Sequence, residues 1–270
     1  MEIEIPEVKP ETEILCPLTA VPGKPEAFLN YGIEQSCGAN MAFDAEACTC
    51  VPSPVATEEE TCDPDVLLFF PFDEDLNDKS CNRASATQTS EESVTLVNDA
   101  ERGTVAFFAG ASSLHVGFIY NYFADQFITE WSVSVWVKRT GDSSGIAGVI
   151  NNGDCIGSPS FDIHVGNGEV SLSSIATDGI SQLAMTDAAQ ILQDDWEHLT
   201  MVYDGTTLTM FVNGVEASSI PASGNIENTQ CAMNIGAMHA GTEYFQGYMD
   251  DIYIYRRALT ADEVTAFANQ

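Results

Sequence analysis

Basic residues are scarce in this chain: 9 lysines and arginines stand against 41 aspartates and glutamates in 270 residues, a formal charge of −32. Such a field repels polyanions, which excludes nucleic acid and a negatively charged membrane surface as natural partners. Cations, basic proteins, cationic mineral surfaces and neutral polymers are left. No apolar run is long enough to span a bilayer. No N-x-S/T sequon occurs, so N-linked glycosylation is not expected. The opening MEIEIPEVKPETE has neither the basic nor the apolar region of a secretory leader and reads as the start of a processed piece of a longer secreted precursor.

Spacings that carry chemistry are missing as well. His115, His164, His198 and His239 show no H-x-x-x-H or comparable ligand pattern, so satisfied histidines are the expectation. There is no E-x-D-x-x-E, the paired carboxylates on one strand that a glycoside hydrolase would use. Gly141-Asp-Ser-Ser-Gly145 fits G-x-S-x-G, but a nucleophile elbow turns from strand into helix beside His and acid partners. Here the motif falls between two strand-like runs and suits a hairpin loop. No catalysis is expected.

What the chain does have is cysteine, eight in all: Cys16, Cys37, Cys48, Cys50, Cys62, Cys81, Cys155 and Cys231. An even number with several clustered early points to disulfides and an oxidising, extracellular compartment. Eight cysteines allow 105 pairings, which the sequence leaves open. The C-T-C at 48–50 has no matching second pair, so disulfide use is favoured over zinc. Residues 1–15 read as an extended acidic N-terminus and 16–51 as a small cysteine-rich module. Its apolar residues, Phe28, Leu29, Tyr31, Ile33 and Phe43, are too few to hold a fold without cross-links, each of which contributes about 2–4 kcal/mol. Prolines and an acidic run make 52–64 a linker.

From residue 65 to 270 the pattern is all-β. VLLFFPF, TVAFF, SLHVGF, WSVSVWVK, SFDIHVG, WEHLTMVYDG, LTMFVNGV and MDDIYIY are short runs. Between runs lie the turn pairs Asn152-Gly153, Asn167-Gly168, Asp204-Gly205 and Asn213-Gly214. Such spacing predicts an antiparallel β-sandwich. A helical turn is expected around 120–127, and Thr260 with Glu263 has capping-box spacing for a short helix at the end. In 246–255, period-two alternation puts Asp250 on one face with Ile252 and Ile254, and Asp251 on the other. A carboxylate so placed needs a partner or a cation. Arg257 or backbone amides are one answer. Calcium is the other, held by Asp250 with the loop acids and amide Asp73, Asp75, Asn77 and Asp78, since calcium takes six to eight oxygens. Trp131, Trp136 and Trp196 read as core or edge packing ahead of a sugar platform.

Three resemblances rest on these motifs. WSVSVWVK, WEHLTMVYDG, LTMFVNGV and FQGYMDDIYIYRRALTADEV, in that order, resemble the laminin G-like (concanavalin A-like) jelly roll across about residues 65–268. Cys37-Gly-Ala-Asn-Met-Ala-Phe43-Asp44 through Cys48 resembles the second half of the peritrophin-type chitin-binding domain, although its proline is absent and Asn40 stands at its glycine. That resemblance implies chitin binding, with Phe28, Tyr31 and Phe43 stacking on sugar rings. The two modules in one acidic chain resemble the Pif-type nacre and shell matrix proteins. In that group Cys155 and Cys231 would clip loops of the sandwich together. The implied function is a secreted, non-catalytic extracellular matrix protein of biomineral tissue. It would bind chitin, calcium or calcium carbonate mineral, and other matrix proteins. A lectin-like glycan-binding or adhesion module without a mineral role is the alternative.

Overall fold

Alternation of apolar and polar residues along short runs, broken by residues that tolerate positive φ, makes antiparallel strands the main element among the described residues. The computed structural model describes residues 19–21, 24–30, 33–36, 41–44, 49–52, 62–88, 92–117, 129–141, 145–152, 160–166, 170–177, 180–185, 191–226, 232–238 and 242–270. The chain divides into two compact units, Met1–Thr61 and Cys62–Gln270. In the first, Thr19–Val21 (β1), Lys24–Asn30 (β2) and Ile33–Ser36 (β3) form a three-stranded sheet. Met41–Asp44 (β4) and Thr49–Pro52 (β5) form a hairpin with Phe43 opposite Cys50.

The second unit holds Val66–Phe70 (β6), Ala86–Gln88 (β7), Thr95–Asp99 (β8), Gly103–Ala109 (β9), Leu114–Val116 (β10), Trp131–Arg139 (β11), Ala147–Asn152 (β12) and Phe161–Gly166 (β13). Val170–Thr177 (β14), Ile180–Met185 (β15), Trp196–Tyr203 (β16), Thr207–Val212 (β17), Val215–Pro221 (β18), Met233–Ile235 (β19) and Gln246–Tyr255 (β20) follow. One sheet has the order β15-β14-β13-β12-β19-β10-β7; the other runs β18-β17-β16-β11-β20-β9-β8, with β6 pairing β20 as its eighth strand. Val133, Val135 and Val137 of β11 meet Ile163 and Val165 of β13 and Ile235 of β19 in one buried core. The expected antiparallel sandwich is therefore the fold observed.

Local chemistry explains the motifs. Asp204 Oδ1 accepts from the amides of Thr206 and Thr207, and Gly205 takes φ 85°, closing the β16–β17 turn. Asn213 and Gly214, at φ 50° and 77°, close β17–β18 as a hairpin requires. Gly247 is obligatory for another reason: a Cβ there would lie 2.1 Å from the Lys138 carbonyl oxygen. Ser132 Oγ donates to the Arg257 carbonyl and accepts from the Leu259 amide, both at 2.9 Å, tying the W-S-V-S strand to the R-R-A-L segment. The helix Ala261–Phe267 starts on the expected capping box, in which Thr260 accepts from the Glu263 amide and Glu263 accepts from the Thr260 amide. Arg257 clamps Glu263 from the side, and Val264 packs with Val66, Val202, Phe211, Tyr255 and Leu259 in a second cluster. The helical turn expected around 120–127 lies outside the described residues, as do Gly153, Asn167 and Gly168.

Candidate functional site

β20 has β11 along one edge, but two short strands share the other. β9 pairs with Gln246–Met249 and β6 with Ile252–Tyr255. Asp250 and Asp251 fall in the gap between them. Opposite, Trp136 faces Asp250 while Ser134 faces Tyr253, so β20 carries one extra residue there. Asp251 takes φ 45°, as a β-bulge residue does. The bulge cancels the period-two rule at this point. Both aspartates turn to the same partner, contrary to the expectation that they face apart. Arg102, in the turn between β8 and β9, places Nε 2.8 Å from Asp250 Oδ2 and a terminal nitrogen 2.7 Å from Asp251 Oδ2. Arg257, one of the partners open to Asp250 from the sequence, is engaged with Glu263 instead.

One guanidinium cannot neutralise two carboxylates. Asp250 is 4% exposed and its Oδ1 has no hydrogen-bond partner. Burial first, then the Asp251 charge, push the Asp250 carboxyl up to about 7 against the pull of Arg102. Burial likewise raises Asp251. The Arg102 guanidinium also lies 4.2 Å over the Trp136 ring and 5.6 Å from that of Trp196. Behind Trp136 sits His198, whose Nε2 is 2.7 Å from Ser134 Oγ. Burial and then the Arg102 charge hold its imidazole down at about 3, so it is neutral.

The tryptophans separate. Trp131 is fully buried against Phe161, ring centres 4.0 Å apart, and is core. Trp136 and Trp196 stand half-buried on the outer face of the eight-stranded sheet. Trp196 Nε1 donates to Asp99, and Lys138 lies 5.8 Å over Trp196 and 5.9 Å over Tyr248 while pairing with Asp99. With one face of Trp136 occupied by Arg102, Trp196 and Tyr248 are the rings left to meet a flat apolar partner.

The acidic loop has largely internal duties. Asp78 is buried, and its carboxylate accepts from the amides of Phe69, Ser80 and Ala84 and from the Ser80 hydroxyl. Asp75 accepts from Lys79 and from the Asn77 amide, which together hold its carboxyl down at about 2. Asp73 is exposed, and its charge reaches Asp251 and Tyr253. Among the described residues no three acids, histidines or cysteines converge as a metal group. Internal hydrogen bonds thus hold Asp75 and Asp78, and Arg102 holds Asp250.

Cys62 and Cys81 form a disulfide with Cα atoms 5.5 Å apart, tying residue 62, placed in the linker by sequence, to the sandwich unit. Cys16, Cys37, Cys48, Cys155 and Cys231 lie outside the described residues, as does Tyr31. Cys50 lies in β5 and Phe28 in β2, with only their backbones described. Phe43 is half-buried in β4. Gly141 follows β11 and Gly145 precedes β12, so the G-x-S-x-G stretch joins two strands, while 142–144 and His239 fall outside the description.

Sequence reasoning missed a second feature. On the face of the seven-stranded sheet turned away from the core, Asn151, Asp162, Asn234 and His115 fall in register across four neighbouring strands. Each interrupts an apolar run, as in Met-Asn-Ile and Leu-His-Val. The signal was available as four polar residues in the same phase of successive strands, but cross-strand register is not written in any one strand.

Residues 120–265 match the family model described as the concanavalin A-like lectin/glucanases superfamily. An asparagine-rich protein of the mollusc Margaritifera margaritifera is 38% identical over 81 residues, 27% of this chain and 11% of that protein. Among solved structures, the binding domain of Paraclostridial Mosquitocidal Protein 1 superposes with a TM-score of 0.60 at 17% identity, over 76% of this chain and 52% of that one. Domain 4 of an extracellular arabinanase from Geobacillus stearothermophilus, in complex with arabinotriose, gives 0.53 at 21% identity, over 76% and 98%. The binding domain of botulinum neurotoxin DC, in complex with SialylT, gives 0.57 at 13% identity, over 76% and 51%. The chain thus spans about a tenth of the mollusc relative and about half of the two toxin domains.

Proposed function

Because the chain belongs to the concanavalin A-like lectin/glucanases superfamily, we propose that it is a non-catalytic binding module of an acidic, secreted extracellular matrix. It holds a neutral polysaccharide, chitin in the first place, and presents carboxylates to calcium or to a calcium carbonate surface. The observation that carries this reading is the charge: 41 acids face 9 bases, and at least four of those bases are engaged within the chain. Arg102, Lys138, Lys79 and Arg257 are each already paired with carboxylates. The field offered to the surroundings is therefore negative, suited to cations and indifferent to neutral sugar. The partial match to a molluscan asparagine-rich protein supports a molluscan setting for the chain.

Mineral attraction of this kind is spread over many exposed carboxylates and needs no single coordinated ion. Such contacts are screened, the Debye length falling from about 10 Å at 0.1 M salt to about 3 Å at 1 M. In co-sedimentation of the whole chain, retention on calcium carbonate should fall across that range while retention on chitin persists. Mineral retention indifferent both to salt and to chemical neutralisation of carboxylates would overturn the electrostatic mechanism. The second reading, a glycan-binding or adhesion module without a mineral role, is favoured by the half-exposed Trp196 and Tyr248 face. Saturable glycan binding with no mineral retention would select it.

A further inference from the structure

At one end of its outer face the eight-stranded sheet carries the C-terminal helix, where Val264 packs with Val202, Phe211 and Tyr255. Toward the other end a row crosses five strands in register: Thr95 on β8, Phe107 on β9, Tyr248 on β20, Lys138 on β11 and Trp196 on β16. The three aromatic residues of the row are half-buried, with ring centres 5.1 Å apart for Phe107 and Tyr248 and 6.4 Å for Tyr248 and Trp196. At about 4.8 Å between neighbouring strands the row is about 19 Å long.

Charge sets this row apart from a plain apolar patch. Each cation on this face is shared between two carboxylates: Lys138 lies 3.3 Å from Asp99 and 3.9 Å from Glu101, and Arg102 bridges Asp250 and Asp251. Exposed Asp194 and Asp195 come just before Trp196, and the Glu101 side chain is 70% exposed. Negative charge is therefore in surplus beside open rings. The chain's own side chains display what such a surface holds. The Lys138 amine lies over both Trp196 and Tyr248, and the Arg102 guanidinium over Trp136, each with carboxylates at its polar end.

These groups select the occupant. A metal ion would use the oxygens and leave the rings idle. A neutral sugar would use the rings and leave the surplus charge uncompensated. A second copy of the chain would bring a further −32. An arginine or lysine side chain uses both, because its charged end pairs with a carboxylate while its flat or aliphatic part lies on a ring. We propose that this row is the docking surface for an extended basic segment of a partner protein, with Trp196 and Tyr248 as the ring contacts and Glu101 and Asp195 as the counter-charges. At about 3.3 Å per residue, about six extended residues span the row, and arginines or lysines at alternate positions all face it. The proposal is independent of the chitin and mineral readings above.

The test is fluorescence anisotropy of a dye-labelled hexapeptide of alternating arginine and glycine, titrated with the whole chain at about 0.15 M salt, where charges beyond a Debye length of about 8 Å are largely screened. The parent should bind. Glu101→Lys should weaken binding at least tenfold. Trp196→Leu, which leaves every charge in place, should weaken it at least fivefold, with a melting curve to show that it folds. Glu216→Lys makes the same charge change at an exposed position of β18, opposite Phe211 at the helix-covered end, and should alter affinity less than twofold. Equal losses from Glu101→Lys and Glu216→Lys would mean that the peptide feels only the overall field and would overturn the docking surface, as would a parent that does not bind. Glu101 lies in an exposed turn, so its variant decides the matter even where Trp196→Leu does not fold. Chitotetraose that displaces the peptide from the parent, and that Trp196→Leu no longer binds, would give the row to a sugar and overturn the proposal.

Discussion

Replacing Asp250 by asparagine should stabilise the sandwich at alkaline pH and do little at acid pH. In the folded chain the Asp250 carboxyl sits at about 7 against an ordinary 3.8, so the native state holds its proton where the unfolded chain has released it. The sign follows: the contribution to stability is full below about 3.8, falls as pH rises through the window and is lost above about 7. A free titration across that window would change stability by about 1.4 kcal/mol per pH unit. Relaxation of water and of the Arg102 guanidinium brings the effect between pH 5 and 8 to on the order of 2 kcal/mol. For a unit of this size that is about 4–8 °C in Tm. The amide can still accept from Arg102 Nε, so the variant keeps the contact and loses the surplus charge. Melting curves of parent and Asp250→Asn at half-unit steps from pH 5 to 8 should diverge, the variant gaining as pH rises. Arg102→Met is the converse. At pH 8 it strands two carboxylates and should cost on the order of 3–5 kcal/mol, falling toward pH 5 as Asp250 takes a proton. Parallel curves for parent and Asp250→Asn, or an Arg102→Met cost independent of pH, would refute the shared-guanidinium account.

Other perturbations test the scaffold around this site. Ser132→Ala leaves the Arg257 carbonyl and Leu259 amide without their partner and should cost on the order of 2–3 kcal/mol in denaturant titration, with the C-terminal helix exchanging hydrogen faster. Gly247→Ala drives a methyl into the Lys138 carbonyl and should lower stability by on the order of 2–3 kcal/mol, read as reduced Tm and soluble yield. Replacing Cys62 and Cys81 together by serine opens a 19-residue loop and should cost about 3 kcal/mol, with protease cutting first within residues 62–81. Thr260→Ala removes the cap and should cost about 1 kcal/mol, seen as lower helical signal at residues 261–267.

Much of the sandwich was legible because its rules are local. Asp204-Gly205 and Asn213-Gly214 announce hairpins through their own φ angles, and Thr260 with Glu263 caps a helix within three residues. Val133, Val135 and Val137 reach the core by simple alternation. The fold follows once enough such pieces stand in order. The site depended on facts with no local trace. Arg102 and Asp250 are 148 residues apart, and nothing near either one names the other. Asp78 read as a calcium ligand because it sits in an acidic loop, yet its neighbours' amides claim it; only the backbone path of 67–84 reveals that.

The bulge at Asp251 carries the lesson furthest. Alternation assigns Asp250 and Asp251 to opposite faces of β20, and that rule holds on either side of the pair but with its phase shifted by one, so that Met249 lies in the core and so do Ile252 and Ile254. It fails at one residue because pairing with β9 stops at Met249 and pairing with β6 starts at Ile252, leaving the backbone between without an edge partner to keep it flat. Arg102 comes from the β8–β9 turn, on the same side as the missing pairing. The bulge and the arginine are thus two parts of one solution: the gap admits a guanidinium, and the extra residue brings a second carboxylate to it. Removing the charge from Asp250 therefore tests more than a pKa. If the bulge exists to share Arg102, the asparagine variant should keep its backbone there, with amide shifts at 249–253 moving little and protection from hydrogen exchange rising at pH 8. Large shift changes along β20 would mean that the charge itself shapes the strand.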